Sequence, residues 1–184
     1  MKTLLISGST SHGSHTAALI AAVAGKLTAL GSEVEIWDLA EKPLLFSQPS
    51  WHQDPLSSNA EVICDFYEAI LKADAIVLGT PLYHGSYSGV LKNALDCLTG
   101  DAFMGKPVGL VSSGSNIRKA HQACLHLTTV VMTMEGTPAH TQIGTGKEDF
   151  IKGNMGLQLS NEAIKARCQT LAEELHMWVG RLKV

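Results

Sequence analysis

The sequence lacks any long hydrophobic run. Its apolar segments all stay below the roughly 18 uninterrupted residues that a membrane-spanning helix requires. The run that follows Met1 and Lys2 covers only four residues before Ser7, which is too short for the core of a signal peptide. We therefore expect no membrane partner and a cytoplasmic location.

Clustered positive charge is missing as well. The 184 residues include 14 Lys and Arg against 17 Asp and Glu, which gives a formal net charge of −3. A surface that neutralises nucleic-acid phosphates needs clustered Lys and Arg, and no such cluster occurs. We expect no nucleic-acid partner.

Cysteines are few and widely spaced. Cys64, Cys97, Cys124 and Cys168 form no CxxC pair, and no small secreted scaffold surrounds them. The spacing predicts reduced thiols, most of them buried or helical, rather than disulfides, zinc ligands or nucleophiles.

Short runs rich in Val, Ile and Leu alternate with longer segments of helical period. This alternation is typical of an α/β fold with a parallel sheet and crossover helices, and the length predicts one domain over residues 1–184. The predicted strands are 2–8, 33–39, 74–80, 106–113 and one within 138–144. The predicted helices are 15–30, 60–72, 88–99, 116–135 and 161–182. Two stretches, 41–58 and 144–158, fit neither pattern and are predicted as long loops.

The segments that follow strands one, three and four are rich in glycine and hydroxyl groups. They are GSTSHGSHT at 8–16, PLYHGSYSG at 81–89 and SSGSN at 112–116. In open α/β sheets, ligands bind beyond the carboxyl ends of the strands, where the strand order reverses. With five strands in the order 2-1-3-4-5, these three loops converge on one crevice.

The first of these loops predicts a phosphate site. It leads into the N-terminus of a helix, where unpaired N–H groups and the helix dipole favour an anion. Ser9, Ser11, Ser14 and Thr16 add hydroxyl donors. A Walker A loop would have lysine where Ser14 stands, and the dinucleotide fingerprint lacks its second glycine, so neither motif applies.

The second loop suits a planar polar ring. Pro81 fixes the backbone, Tyr83 and His84 have flat side chains, and Gly85 and Ser86 keep backbone N–H groups accessible. A phosphate at the first loop and a flat heteroaromatic ring at the second describe a mononucleotide. FMN fits this description.

Two motifs resemble those of the NADPH-dependent FMN reductase family. TPLYHGSYSGVLKNALDCL at 80–98 is similar to its TPxYxxxxxGxLKNxLD signature, and GSTSHGSHT is similar to its GSxRxxSxN phosphate loop. The resemblance implies a flavodoxin-like three-layer fold with a 2-1-3-4-5 sheet, and a homodimer or homotetramer. It also implies that hydride passes from NADPH or NADH through FMN to a flavin, quinone, azo or metal-oxyanion acceptor.

The resemblance also implies which residues bind FMN. Ser11 stands where the family usually has Arg, which leaves hydroxyl and N–H groups to hold the phosphate. No catalytic residue and no metal ligand is predicted, because the chemistry belongs to the cofactor. The predicted FMN-binding residues are Ser9, Ser11, Ser14, His15, Thr16, Pro81, Leu82, Tyr83, His84, Gly85, Ser86, Ser113, Gly114 and Ser115.

Other interpretations of the same residues remain open from the sequence. A flavodoxin-type electron carrier would share the phosphate loop without turning over a substrate. A hydrolase that pairs Ser14 with His12 or His15 lacks a GxSxG elbow and an orienting acid, and zinc at the two histidines lacks further ligands. His84 and Arg118 are candidates for contacts with an anionic acceptor or the NADPH 2′-phosphate, with solvated side chains as the alternative.

Overall fold

The Val-, Ile- and Leu-rich runs form a parallel sheet with the predicted strand order. The structure, a computed structural model, describes residues 1–115, 117–154 and 156–182, with the side chains of 117–119 left out. The sheet has the order β2-β1-β3-β4-β5, and all of its neighbouring strands run parallel. Its strands are β1 Lys2–Ser7, β2 Glu33–Asp38, β3 Ala75–Pro81, β4 Pro107–Ser113 and β5 Thr137–Thr145.

Helices cover both faces of this sheet. Side chains of α1 and α5 pack on one face, and side chains of α2, α3 and α4 pack on the other. None of the described helices combines the length and the apolar character that crossing a membrane requires. The helices are α1 His15–Ala29, α2 Glu61–Lys72, α3 Gly89–Asp96, α4 Ile117–Thr133 and α5 Glu162–Leu182. Asn116, predicted as the first residue of the fourth helix, lies outside the described residues.

The central strands explain why the apolar runs show little alternation. Every residue of β3 and of β4 is buried, because helices cover both of their faces. In β1 the side chains divide between the two layers: Leu4 and Ile6 face the α2–α4 layer, and Leu5 faces α1 and α5. The flavodoxin-like architecture that the sequence predicts is confirmed.

The predicted loop at 41–58 is pinned to α3. The N–H of Ser47 donates to Oδ1 of Asn93 at 3.0 Å, and Nδ2 of Asn93 donates to the carbonyl oxygen of Leu45 at 2.9 Å. Two short 3₁₀ turns, Pro49–His52 and Pro55–Ser57, interrupt the loop. The segment contains no strand or longer helix, so the loop prediction is confirmed.

The prediction of a long loop at 144–158 is wrong. β5 continues to Thr145, a 3₁₀ turn follows at Lys147–Asp149, and β6 Phe150–Gly153 pairs antiparallel with β7 Gly156–Leu159. Each strand has only four residues, and glycines stand at the two ends that face each other, so the local pattern is typical of a loop. Burial stabilises the hairpin, because its apolar residues Phe150 and Leu159 join the core cluster of α1 and α5.

Asp149 anchors the turn between β5 and β6. Its Oδ2 accepts a hydrogen bond from the N–H of Gly146 at 2.8 Å, and its Oδ1 accepts one from Nδ2 of Asn161 at 2.6 Å. Its carbonyl oxygen accepts from the N–H and Oγ of Ser160 at 2.8 and 3.0 Å. Asp149 is only 2% exposed, so water cannot replace these contacts.

We expect Asp149→Ala to lower the free energy of unfolding by about 2 kcal/mol, because it leaves the Gly146 N–H and the Asn161 amide without their acceptor. Urea denaturation of the two proteins measures the difference. The neighbouring Glu148→Ala removes an exposed carboxylate from the same turn and should change stability by less than about 0.5 kcal/mol. Equal stability of both variants would contradict the anchoring role.

Candidate active site

The loops after β1, β3 and β4 converge at the carboxyl edge of the sheet, as the strand order predicts. They surround a cavity of about 380 Å³, which we call the crevice. The residues that line it are Ser9, Ser11, Ser14, His15, Thr16, Pro81, Leu82, Tyr83, Ser113, Gly114, Ser115 and Lys147. Of the residues predicted from the sequence, His84, Gly85 and Ser86 are not among its lining residues.

Gly8 joins three elements at the base of the crevice. Its N–H donates to the carbonyl oxygen of Gly79 in β3 at 2.7 Å, and its own carbonyl oxygen accepts from Oγ of Ser88 at 2.6 Å. A Cβ atom at position 8 would lie 2.8 Å from both the Gly79 oxygen and Cβ of Leu91 in α3. Only glycine allows the first loop to approach β3 and α3 this closely.

The first turn of α1 presents free donors to the crevice. Ser14 is the N-cap: its Oγ accepts from the N–H of Ala17 at 3.1 Å, and its carbonyl oxygen accepts from the N–H of Ala18 at 3.0 Å. The N–H groups of His15 and Thr16 precede the first intrahelical bond, and no described residue accepts from them. This arrangement favours an anion.

Buried hydroxyl groups connect the first and third loops. Oγ1 of Thr16 and Oγ of Ser113 lie 2.8 Å apart and share a hydrogen bond, and Oγ of Ser9 accepts from the N–H of Ser11 at 3.2 Å. Ser9, Thr16 and Ser113 are at most 5% exposed. The crevice is therefore lined by fixed polar groups as well as by backbone.

The second loop forms a tight two-residue turn. Tyr83 and Ser86 exchange N–H···O bonds of 2.9 and 3.0 Å, and His84 and Gly85 between them have φ angles of +49° and +81°. Positive φ at both central positions is typical of a type I′ turn. His84 is exposed and is not among the residues that line the crevice, and Ser86 shares a hydrogen bond of 2.9 Å with Nδ1 of His126 on α4.

Hydrogen bonds within the protein limit what the second loop can offer a ligand. The N–H of Leu82 donates to the carbonyl oxygen of Ser113 at 2.8 Å, and the N–H of Tyr83 is taken up in the turn. The N–H of Gly114 likewise donates to Thr145. Pro81, Leu82 and Tyr83 therefore contribute surface to the crevice rather than N–H donors.

The charge of the crevice comes from a residue that the sequence reasoning missed. Lys147 lies in the 3₁₀ turn after β5 and is the one lysine or arginine among the described lining residues, which include no Asp or Glu. The strand order indicates the region of this residue, because the end of β5 meets the same edge of the sheet as the other strand ends. The side chain of Arg118, a candidate from the sequence, lies outside the described residues.

The hydrolase alternative finds no support in the described hydrogen bonds. Oγ of Ser14 caps α1, and no described hydrogen bond joins it to His12 or His15. Nδ1 of His12 instead pairs with Oε1 of Glu41 at 2.6 Å on the surface, and the His15 ring stacks edge-on against Phe150 with centroids 5.0 Å apart. No group of three or more potential metal ligands occurs in the part of the chain that the structure describes.

Three of the four cysteines are buried and unreactive. All four thiols are free, and Cys97, Cys124 and Cys168 are buried. Burial raises the pKa of each of these three thiols to about 11, with the charge of Asp96 adding to the effect at Cys97. They are therefore protonated at neutral pH and serve as small apolar side chains.

Sequence comparison identifies close relatives. Residues 1–148 match the family model described as NADPH-dependent FMN reductase. Two FMN-dependent NADPH-azoreductases, from Staphylococcus haemolyticus (strain JCSC1435) and Staphylococcus aureus (strain USA300), are 39% and 41% identical to this chain over 184 residues. Each alignment covers 98% of this chain and 96% of the relative.

Solved structures share the architecture at lower identity. An oxidoreductase from Corynebacterium diphtheriae superposes with a TM-score of 0.76 at 21% identity, over 98% of this chain and 97% of that one. A flavoenzyme NAD(P)H:(acceptor) oxidoreductase from Paracoccus denitrificans gives a TM-score of 0.75 at 20% identity, with the same coverage. At these identities the likeness establishes the fold.

We expect Gly8→Ala to lower the free energy of unfolding by about 1 to 3 kcal/mol, since the new methyl group overlaps the Gly79 carbonyl and Leu91. Gly25→Ala is the matched control: it lies in α1, nothing lies within 4 Å of its Cβ position, and alanine there should stabilise by roughly 0.5 to 1 kcal/mol. Thermal or urea unfolding separates the two. Unchanged stability of Gly8→Ala would refute the close approach.

Proposed function

Because this chain belongs to the NADPH-dependent FMN reductase family, we propose that it holds FMN in the crevice and reduces small azo compounds with NADPH. Dependence on FMN and NADPH follows from the family and from the relatives. The choice of azo compounds as acceptors is the proposal. It is supported by the two relatives named azoreductases, which are 39% and 41% identical to this chain over nearly its full length.

The first turn of α1 is the observation that carries the FMN assignment. The free N–H groups of His15 and Thr16, with the hydroxyl hydrogens of Ser9 and Ser14, give a phosphate a set of donors without competing carboxylates. The hydroxyls of Ser9 and Ser14 accept hydrogen bonds from the backbone, so their own hydrogens are available to donate. The residues present therefore fit the phosphate end of FMN.

The ring of FMN would lie between the second and third loops. Pro81, Leu82 and Tyr83 form one wall, and Ser113, Gly114 and Ser115 form the other. Tyr83 is 51% exposed at the rim, where an acceptor or nicotinamide would enter. When bound, FMN supplies the hydride-transfer chemistry, and the residues of the chain bind and orient it.

The remaining predictions about this protein stay predictions. They are a single FMN-binding domain over residues 1–184, a homodimer or homotetramer, a cytoplasmic location, the absence of a nucleic-acid partner, and ring contacts by His84, Gly85 and Ser86. The family assignment favours an enzyme over the flavodoxin-type electron carrier, because the matched family is one of reductases. Catalytic oxidation of NADPH distinguishes the enzyme from the electron carrier.

We expect purified protein loaded with FMN to oxidise NADPH and to bleach an azo dye in parallel under anaerobic conditions. Absorbance at the NADPH and dye bands measures both, and protein stripped of FMN provides the control. A quinone assayed beside the dye ranks the acceptors. Oxidation of NADPH with quinone but without dye would remove the azo assignment, and FMN binding without any NADPH oxidation would favour the electron carrier.

We expect Ser14→Asp to weaken FMN binding by about ten-fold or more, because it places a negative charge beside the phosphate. Asp caps helices as well as Ser does, so the stability of the fold should hold. Ser14→Asn is the matched variant, since it also caps but carries no charge. Titration of flavin fluorescence gives the dissociation constants. Wild-type affinity in Ser14→Asp would show that the phosphate lies elsewhere.

A further inference from the structure

The phosphate loop of the crevice contains no fixed positive charge. Residues 8–16 include no lysine or arginine, so hydroxyl groups, N–H groups and the helix dipole are the donors that this loop offers. A phosphomonoester carries close to two negative charges at neutral pH. Lys147, which lies about 130 residues after this loop in sequence, lines the same crevice as these hydroxyl and N–H donors.

The segment that carries Lys147 is held against the third loop at its beginning. The carbonyl oxygen of Thr145, two residues before Lys147, accepts from the N–H of Gly114 at 2.9 Å. Oγ1 of Thr145 donates to the carbonyl oxygen of Ser112 at 3.2 Å. The chain therefore leaves β5 directly beside the wall formed by Ser113 to Ser115.

The same segment is held against α1 at its end. The ring of Phe150, three residues after Lys147, packs edge-on against His15, the first residue of α1. Between these two ends the buried carboxylate of Asp149 closes the turn by accepting from Gly146 and Asn161. Lys147 is therefore placed between the third loop and the first turn of α1, by contacts to both.

The ammonium group of Lys147 has no partner among the described residues. The side chain of Lys147 is exposed, and its ammonium group forms no ion pair or hydrogen bond with any residue that the structure describes. The buried carboxylate of Asp149 in the same turn already accepts hydrogen bonds from Gly146 and Asn161. An anion in the crevice would therefore meet a cation that need not break another contact.

We propose that Lys147 is the cationic contact of the FMN phosphate and gives the crevice its preference for FMN over riboflavin. The inference rests on the proposed function, because it requires FMN in this crevice. An ammonium group adds a charge-assisted hydrogen bond to the neutral donors of α1. Its exposure makes the contact sensitive to salt.

The test compares dissociation constants for FMN and riboflavin, which differ by the phosphate alone. In Lys147→Gln, FMN should bind about ten-fold more weakly while riboflavin binds as it does to the wild type. Lys147→Arg keeps the charge and should restore most of the preference for FMN. The dependence of FMN affinity on salt should be shallower in Lys147→Gln than in the wild type.

Lys152→Gln is the matched control. Lys152 is exposed on β6 of the same hairpin and is not among the residues that line the crevice. The variant should keep the wild-type preference for FMN, since it removes the same charge at a position outside the crevice. A similar loss of FMN affinity in Lys147→Gln and Lys152→Gln would show that the effect comes from the overall surface charge, and it would overturn the proposal.

Other results also overturn it. Unchanged FMN affinity in Lys147→Gln, or equal losses for FMN and riboflavin, would remove the phosphate contact. A higher KM for NADPH with unchanged KM for NADH and unchanged FMN affinity would assign the lysine to the NADPH 2′-phosphate instead. If the wild type itself binds FMN no better than riboflavin, the phosphate site of the proposed function fails first, which distinguishes the two failures.

Discussion

The close approach at Gly8 is the constraint on which the site depends. One hydrogen bond ties the end of β1 to Gly79, and another ties it to Ser88 at the start of α3, with no room for a side chain between them. This contact sets where the chain turns towards α1. It therefore determines how near the first turn of α1 lies to the loops after β3 and β4.

Most of the sheet and of the crevice could be predicted from the sequence, because both follow from the same physical rule. Strands covered on both faces must be apolar throughout, and the carboxyl ends of parallel strands must meet at one edge. β3 and β4, with every residue buried, are the clearest case. The hairpin of β6 and β7 escaped prediction because its four-residue strands owe their stability to packing on α1, which no local pattern records.

The hydroxyl-rich loops have a second role that the sequence could not separate from ligand binding. Ser88 binds the carbonyl oxygen of Gly8 and caps α3, Thr80 accepts from the N–H of Ser88, and Thr16 and Ser113 bind each other. These side chains are nearly inaccessible to water. Serine and threonine at the strand ends therefore fasten the loops together, and only part of the set remains to meet a ligand. For Lys147 the strand order indicates only the edge of the sheet, and contacts of Asp149 and Phe150, far from the phosphate loop in sequence, decide that this residue lines the crevice.

The buried thiols bear on how such a protein withstands its own chemistry. Reduced flavins pass electrons to dioxygen and release hydrogen peroxide, which oxidises cysteine through the thiolate. Burial raises the pKa of Cys97, Cys124 and Cys168 to about 11, so each thiol stays protonated at pH 7. The core sulfur atoms are thus protected from peroxide by burial and by protonation together.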